Sequence, residues 1–164
     1  RFFDPLGMTD TVMHDNRAIV PNRVDGYELR GGALHNDRRD FHYALRSHYG
    51  VMSTIADLVK WERALARGSL LPKALMDTFW SPRWTLTESE ALTMSYGTGW
   101  FVARLGARTF VEHTGITGTA YFREPDRNLA VIVLTNQASI DASAIGRRIA
   151  RIVDPSIPFP DKAL

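Results

Sequence analysis

The sequence of 164 residues contains no cysteine, which excludes disulfide bonds and thiolate metal sites. It also lacks any apolar run near the roughly 20 residues that a membrane-spanning helix needs, so we expect no membrane span. No large excess of one charge is present either, since 20 Lys and Arg residues stand against 18 Asp and Glu residues. The densest basic cluster, GRRIARIV, is typical of a solvated helix face. We therefore expect no nucleic acid as a partner.

The composition that remains is that of an ordinary globular domain. Hydrophobic residues make up 45% of the chain and charged residues 23%, and this length suffices for one domain with a core. The chain begins with RFFDPLGM, and so with Arg1 rather than Met. We therefore expect a fragment or a processed product.

The first 50 residues show little periodicity and many turn-forming residues. We predict irregular segments there, with short strands at most around Ala18–Val20 and Gly26–Leu29. Potential metal ligands cluster in the same region, namely His35, Asp37, Asp40, His42 and His48. Their spacing matches no compact zinc motif, so we expect no metal and no other cofactor.

Two helices are predicted next. In STIADLVKWERALARGSLL, Ser53 or Thr54 can cap a helix and Gly68 can end it. The apolar stripe of this helix consists of Ile55, Leu58, Val59 and Leu65. A second short helix opens at Pro72 and closes before Pro82. The polar stretch RWTLTESEALTMS that follows is predicted to be a loop.

From Tyr96 onward the pattern predicts β-structure. Gly106-Ala107 separates GTGWFVARL from RTFVEHTG as in a tight hairpin, and PDRN forms a turn before LAVIVLTN. The run LAVIVLT does not alternate, which indicates a strand covered on both faces. We expect the final helix to pack across this sheet and to stop before Pro155. Its apolar stripe consists of Ile145, Ile149, Ile152 and Val153.

The order of these segments resembles the second half of the serine beta-lactamase and penicillin-binding-protein-like hydrolases. This class C-related family includes beta-lactamases, D-aminopeptidases, D,D-peptidases and esterases. The resemblance covers Phe2 to Asp154, and HTGITGT followed by PDRNLAVIVLTN is its most specific part. It implies an α/β (α+β) fold, an antiparallel sheet with helices on both faces, of which the last three or four strands are present. One domain portion would then contain an irregular and helical part (1–95), strands with the terminal helix (96–154) and a tail (155–164).

Three motifs surround one cleft in this family: S-x-x-K with the acylated serine, Y-x-N or S-x-N, and K-T-G or H-T-G on a strand. No serine here precedes a lysine by three residues, and no tyrosine precedes an asparagine by two. Only the third motif is present, as His113-Thr114-Gly115. Because the other two lie upstream in the family, we expect this chain to need an N-terminal half and to be inactive alone.

The resemblance implies acyl transfer through an acyl-enzyme on an ester, amide, peptide or beta-lactam substrate. One donor to the developing oxyanion would be the backbone N–H of the serine, and the other that of Ile116. Gly115 would let the strand approach the substrate closely, and Thr114 would contact the substrate or orient His113. Further candidates for substrate contact are Thr117, Trp84 and Trp100.

Many beta-lactamases and penicillin-binding proteins carry a lysine where this chain has His113, and that fixed cation suits a substrate carboxylate. An ordinary histidine titrates near pH 6.5 and is largely neutral at pH 7. We therefore expect an ester, amide or D-amino-acyl substrate in preference to a beta-lactam. The resemblance also favours a periplasmic or secreted bacterial location.

Two alternatives stay open from the sequence. The same fold without a nucleophile would be a non-catalytic binding or sensing module, although retention of His113-Thr114-Gly115 argues against a dead site. A self-contained hydrolase would use Ser53 or Ser95 with His113, but neither serine lies in a convincing nucleophile turn. Without its N-terminal half the chain would leave a strand edge and part of a sheet face uncovered, so we expect marginal stability and aggregation.

Overall fold

The computed structural model describes residues 2–15, 17–37 and 49–159, so Asp40, His42 and His48 lie outside the described residues. Four short strands come first, β1 (Val12–Met13), β2 (Tyr27–Arg30), β3 (Ala33–Asn36) and β4 (Val51–Met52). Six more strands follow, β5 (Trp84–Glu88), β6 (Thr93–Tyr96), β7 (Phe101–Leu105), β8 (Arg108–Gly115), β9 (Thr119–Glu124) and β10 (Leu129–Leu134). The helices are α1 (Ile55–Ala66), α2 (Lys73–Phe79) and α3 (Ala142–Val153).

The later six strands form one antiparallel sheet in the order β10-β9-β8-β7-β6-β5. Each strand pairs with its neighbour in sequence, so the connections are short hairpins. The predicted hairpin at Gly106-Ala107 is confirmed, and PDRN forms a single 3-10 turn before β10. The sheet therefore contains six strands rather than the three or four that the resemblance implied.

Alternation along β9 gives the sheet two differently covered faces. The side chains of Phe122 and Glu124 point to the face on which α3 packs, whereas Tyr121 and Arg123 point to the face of α1. The main core lies under α3 and contains Ala103, Leu105, Phe110, Phe122, Val131, Ala150, Ile157 and Phe159. The predicted α+β arrangement, an antiparallel sheet with the last helix packed on it, is confirmed.

The packing face of α3 differs from the prediction. The helix buries its small and basic residues, Ala142, Gly146, Arg147 and Ala150. The aliphatic stripe expected to face the sheet is instead exposed, by 36% at Ile145, 40% at Ile149, 80% at Ile152 and 65% at Val153. Small residues let the helix axis lie close to the sheet, with Val133 and Phe122 directly beneath Gly146. The isoleucines consequently form an uncovered apolar flank on α3.

Two strands lie where the sequence predicted a loop. RWTLTESEALTMS folds into β5 and β6, and every residue of β5 is exposed. An outermost strand with solvent on both sides needs no apolar face, so its polar composition misled the prediction. At the opposite edge, β10 is less covered than expected, because only Val131 is fully buried and Leu134 is 38% exposed.

The N-terminal segment is joined to α1 through a buried carboxylate. As predicted, the hydroxyl of Thr54 caps the helix by accepting a hydrogen bond from the Asp57 backbone N–H. The Asp57 side chain accepts hydrogen bonds from the Asp10 backbone N–H, the Thr11 hydroxyl and the Lys60 ammonium group. Burial opposes ionisation of Asp57, but these donors outweigh it and lower the pKa of this carboxyl.

Other predictions for the first part of the chain had mixed outcomes. The short strand at Gly26–Leu29 is confirmed as β2, while residues 18–20 form a bend and irregular structure instead of a strand. The second helix begins at Lys73, with Pro72 as its cap, and ends before Pro82 as predicted. In α1 only Leu65 of the expected stripe is buried, and Ile55 and Val59 are exposed.

No helix among the described residues is long and apolar enough to cross a membrane.

Candidate active site

The triplet His113-Thr114-Gly115 forms the last three positions of β8. In the register with β9 these residues lie opposite Tyr121, Ala120 and Thr119. The chain then turns through residues 116–118 before β9 begins. The strand-end position expected for the triplet is therefore observed.

The triplet borders a cavity of about 250 Å³ between α1 and the sheet, which we call the α1–sheet cavity. Leu58 of α1 forms one side, and Ile132 and Leu134 of β10 contribute an apolar surface. The remaining lining residues are His113, Thr114, Gly115, Thr119, Ala120 and Tyr121. The cavity combines an apolar wall with a few polar groups, as ligand sites do, although it is smaller than the roughly 300–1,000 Å³ usual for them.

Both ring nitrogens of His113 have hydrogen-bond partners. Nε2 lies 3.0 Å from the hydroxyl oxygen of Tyr96, and Nδ1 lies 2.9 Å from the backbone carbonyl oxygen of Thr114. The imidazole also lies against the ring of Phe101, with centroids 5.4 Å apart. The sequence reasoning missed Tyr96, because the contact depends on how β6 and β7 align beside β8. The tyrosine in YGTGW immediately before a predicted strand was the available signal.

The turn after the triplet presents Ile116 to solvent. Its side chain is 64% exposed, and within the described ranges its backbone N–H donates to no protein acceptor. The turn itself is closed by the Gly118 N–H, which donates to the Gly115 carbonyl at 3.1 Å. Ile116 directly follows Gly115, which lines the cavity, and a backbone N–H without a protein acceptor is available to another oxygen.

Two glycines are required by the close packing of this turn. A Cβ on Gly115 would overlap the Thr119 hydroxyl, so this glycine serves the β8–β9 contact. Gly118 has φ +84° and would place a Cβ against the Gln137 carbonyl and the Thr135 hydroxyl. The Thr135 hydroxyl also donates to the Gly118 carbonyl at 2.7 Å, which ties the turn to the end of β10.

The α1 side of the site is held by a buried ionic cluster. Glu62 of α1 accepts hydrogen bonds from the Tyr121 hydroxyl and from Nε of Arg123. Burial and then the neighbouring Glu62 carboxylate raise the pKa of the Tyr121 hydroxyl well above its ordinary value. Tyr121 therefore remains a hydrogen-bond donor at neutral pH, and it connects α1 to the strand opposite His113.

A second ionic cluster holds β8 from the α3 face. Glu112, the neighbour of His113, accepts hydrogen bonds from Arg147 and Ser143 of α3. Arg147 also lies over the ring of Phe159, 4.9 Å from its centroid. The strand that carries the triplet is thus anchored to α3, and its neighbour β9 is anchored to α1 through Tyr121 and Arg123.

The remaining predicted contact residues occupy different surroundings. Trp100 lies between Trp80 and Tyr121, with both ring centroids 5.3 Å away, and of these two partners Tyr121 lines the α1–sheet cavity. Trp84 is 73% exposed on β5, directly opposite Tyr96 in the strand register. Thr117 is half-buried in the turn. Trp100 therefore contacts the cavity lining through Tyr121, and Trp84 lies at the outer edge of the sheet.

Neither candidate serine approaches His113. Ser95 is 1% exposed within β6, and Ser53 shares a hydrogen bond with Thr11 at 2.8 Å. Among the described residues no serine hydroxyl binds the imidazole, which leaves a self-contained serine–histidine pair without support. In the same part of the chain, no three His, Cys, Asp or Glu side chains gather as metal ligands.

One comparison with known proteins identifies a family, and another identifies solved structures of similar fold. A family model described as Beta-lactamase matches residues 1–153, whereas no curated protein matches the sequence. The structure is similar to an octameric penicillin-binding protein homologue from Pyrococcus abyssi, with TM-score 0.78 and 20% identity over 93% of this chain. It is also similar to a penicillin-binding protein from Bacillus halodurans, with TM-score 0.68 and 21% identity over 92% of this chain. The similarity to simvastatin synthase (LovD) from Aspergillus terreus has TM-score 0.66 and 18% identity over 95% of this chain.

These solved structures are considerably longer than this chain. The chain spans 35% of the Pyrococcus protein, 47% of the Bacillus protein and 46% of the Aspergillus protein. At such identities the likeness concerns the fold alone.

Proposed function

The chain belongs to the beta-lactamase family, and from this premise we propose that it is the C-terminal part of a serine hydrolase acting through an acyl-enzyme. The observation that carries the proposal is the position of His113-Thr114-Gly115 on the border of the α1–sheet cavity. Directly after this triplet, the turn presents the unpaired backbone N–H of Ile116.

In the proposed reaction a serine outside this chain supplies the nucleophile. Its oxygen adds to the substrate carbonyl carbon, and the leaving group departs with a proton as the acyl-enzyme forms. Water then cleaves the new ester and releases the acid. The Ile116 N–H would stabilise the negative charge that develops on the carbonyl oxygen in both steps. Gly115 would admit the substrate to the strand edge, and Thr114, which is exposed, would contact it.

We propose an ester, amide or D-amino-acyl substrate in preference to a beta-lactam. The argument rests on His113, whose ring nitrogens are already occupied by Tyr96 and by the Thr114 carbonyl. An imidazole in that setting offers a substrate carboxylate no free N–H, unlike the ammonium group of a lysine. The fold is also similar to that of EstCE1, a hydrolase with promiscuous acyltransferase activity, and this likeness is compatible with the proposed substrate class. A periplasmic or secreted location is part of the same proposal.

The test is to read the coding sequence upstream of Arg1 and to assay the protein both with and without that extension. We expect S-x-x-K and then Y-x-N upstream, hydrolysis of p-nitrophenyl esters and D-amino-acid anilides by the extended protein, and no turnover by residues 1–164 alone. An extended protein that binds ligands without turnover would overturn the hydrolase proposal in favour of a binding module. Faster hydrolysis of a beta-lactam than of esters would overturn the substrate preference only.

A further inference from the structure

We infer that Tyr96 is a positioning residue for His113, an inference that rests on the proposed hydrolase function for its catalytic consequence. Its hydroxyl oxygen lies 3.0 Å from Nε2 of the imidazole, and the Thr114 carbonyl oxygen lies 2.9 Å from Nδ1. The two contacts hold the ring from opposite sides. Together they determine both the orientation of the imidazole and the nitrogen that carries its proton.

The tautomer follows from the chemistry of the two partners. A backbone carbonyl oxygen can only accept a hydrogen bond, so Nδ1 must carry the proton that it donates to Thr114. In the neutral ring Nε2 is then an acceptor, and the Tyr96 hydroxyl is the donor. The substitution Tyr96→Phe would keep the ring packing and remove the hydroxyl that donates to Nε2.

The same pair also accommodates a protonated imidazole. When Nε2 carries a proton, it donates to the Tyr96 oxygen, and the tyrosine's own proton is free to turn to another acceptor. Tyr96 thereby changes from donor to acceptor toward His113 without any movement of heavy atoms. Protonation of His113 therefore makes the proton of the Tyr96 hydroxyl available to an acceptor other than His113.

The hydroxyl is placed by the sheet rather than by a mobile loop. Tyr96 is paired with Trp84 on one side and with Phe101 on the other, and its backbone carbonyl accepts a hydrogen bond from the Arg83 N–H at 2.9 Å. The Phe101 ring lies 4.9 Å from that of Tyr96 and 5.4 Å from the imidazole. Phe101 thus packs against both members of the pair and fixes their separation.

The direct test is the ring-nitrogen NMR spectrum of the ¹⁵N-histidine-labelled chain, with the His113 signals assigned by their loss in His113→Gln. We expect the wild-type imidazole to show a single tautomer with the proton on Nδ1. In Tyr96→Phe the Thr114 carbonyl still accepts from Nδ1–H, whereas Nε2 loses its donor, so the Nε2 signal should move away from its wild-type position. Tyr27→Phe is the matched control, because Tyr27 lies on β2 in a separate sheet and pairs with Gln137, and its spectrum should equal that of the wild type.

Two results would overturn the inference. One is a wild-type His113 with its proton on Nε2, which needs no variant and so does not depend on whether Tyr96→Phe folds. The other is a Tyr96→Phe spectrum that superimposes on the wild type. In the extended protein we further expect Tyr96→Phe to lower kcat more than it raises KM and to shift the pH–rate profile. An extended protein without turnover would defeat the proposed function, yet the tautomer result would still stand.

Discussion

The carboxylate of Glu62 on α1 lies 2.8 Å from Nε of Arg123 on β9, and only 15% and 4% of the two side chains are exposed. Arg123 also lies over the Trp80 ring, 5.5 Å from its centroid. Arg123 therefore has an ionic partner on α1 and an aromatic partner just beyond α2. The position of α1 above the sheet, and with it one side of the α1–sheet cavity, depends on this pair.

Removing Glu62 should destabilise the protein strongly, because it leaves the buried Arg123 charge without a partner. We expect Glu62→Ala to lower the free energy of unfolding by about 3–5 kcal/mol. The control is Asp77→Ala, which breaks the Lys73–Asp77 ion pair whose side chains are 87% and 56% exposed, and which should cost about 0.5 kcal/mol or less. Urea denaturation of both variants measures the difference. Equal losses would show that the buried pair does not hold α1.

The role proposed for Ile116 concerns its backbone and not its side chain. Ile116→Pro removes the N–H group, so in the extended protein we expect kcat to fall by roughly 10²–10³-fold. Ile116→Ala retains the N–H and removes an exposed side chain, and it should keep most of the activity. Steady-state hydrolysis of an ester substrate compares the two. If Ile116→Pro remains folded and fully active, this residue is not an oxyanion donor.

Asp154 should contribute to stability against acid. Hydrogen bonds from the Ser156 hydroxyl and backbone N–H, and then from Arg108, lower its pKa to about 2. An ordinary aspartate titrates near 3.9, so the folded state favours the ionised form. The contribution of ionised Asp154 to the free energy of unfolding is complete above about pH 4 and is lost as the pH falls to about 2. We expect the stability difference between wild type and Asp154→Asn, measured in urea at pH 6, 4, 3 and 2, to shrink over that interval.

The comparison for Asp154 is Asp126→Asn, since Asp126 is exposed and the adjacent Arg127 pairs with Glu124 and Asp154 instead. This variant should differ little from the wild type at every pH. A stability difference for Asp154→Asn that is constant from pH 6 to pH 2 would contradict the assignment.

The exposed flank of α3 should promote self-association without contributing to the fold. We expect Ile152→Lys to change the free energy of unfolding by no more than about 0.5 kcal/mol while reducing aggregation in sedimentation experiments. Phe122→Ala, at a position only 1% exposed, should instead cost about 3–5 kcal/mol. A large loss for Ile152→Lys would mean that the isoleucines pack against the chain after all.

The sequence predicted most reliably the elements whose signal is local. The Thr54 cap, the turn at PDRN and the hairpin at Gly106-Ala107 each depend on a few adjacent residues, and all three are found. The strand β5 was not predictable, because a polar, fully exposed strand is defined by its pairing with β6 and not by its own composition.

The candidate site shows the same contrast between features set by adjacent residues and features set by distant contacts. The triplet at the end of β8 was identified from its motif, whereas the Tyr96–His113 contact joins residues on strands two places apart in the sheet. The buried face of α3 was misjudged for a related reason. Periodicity located an aliphatic stripe, but the close approach at Gly146 favours the small residues beside it.

The alternation of β8 has a consequence for how such a protein can evolve. Glu112 and His113 are neighbours in the chain, yet one is bound to α3 and the other borders the α1–sheet cavity. Under the proposed function, selection for stability therefore acts on position 112 and selection for substrate acts on position 113, with little conflict between them. A lineage can exchange the residue at 113 and explore new substrates while the ion pair behind it keeps the strand in place.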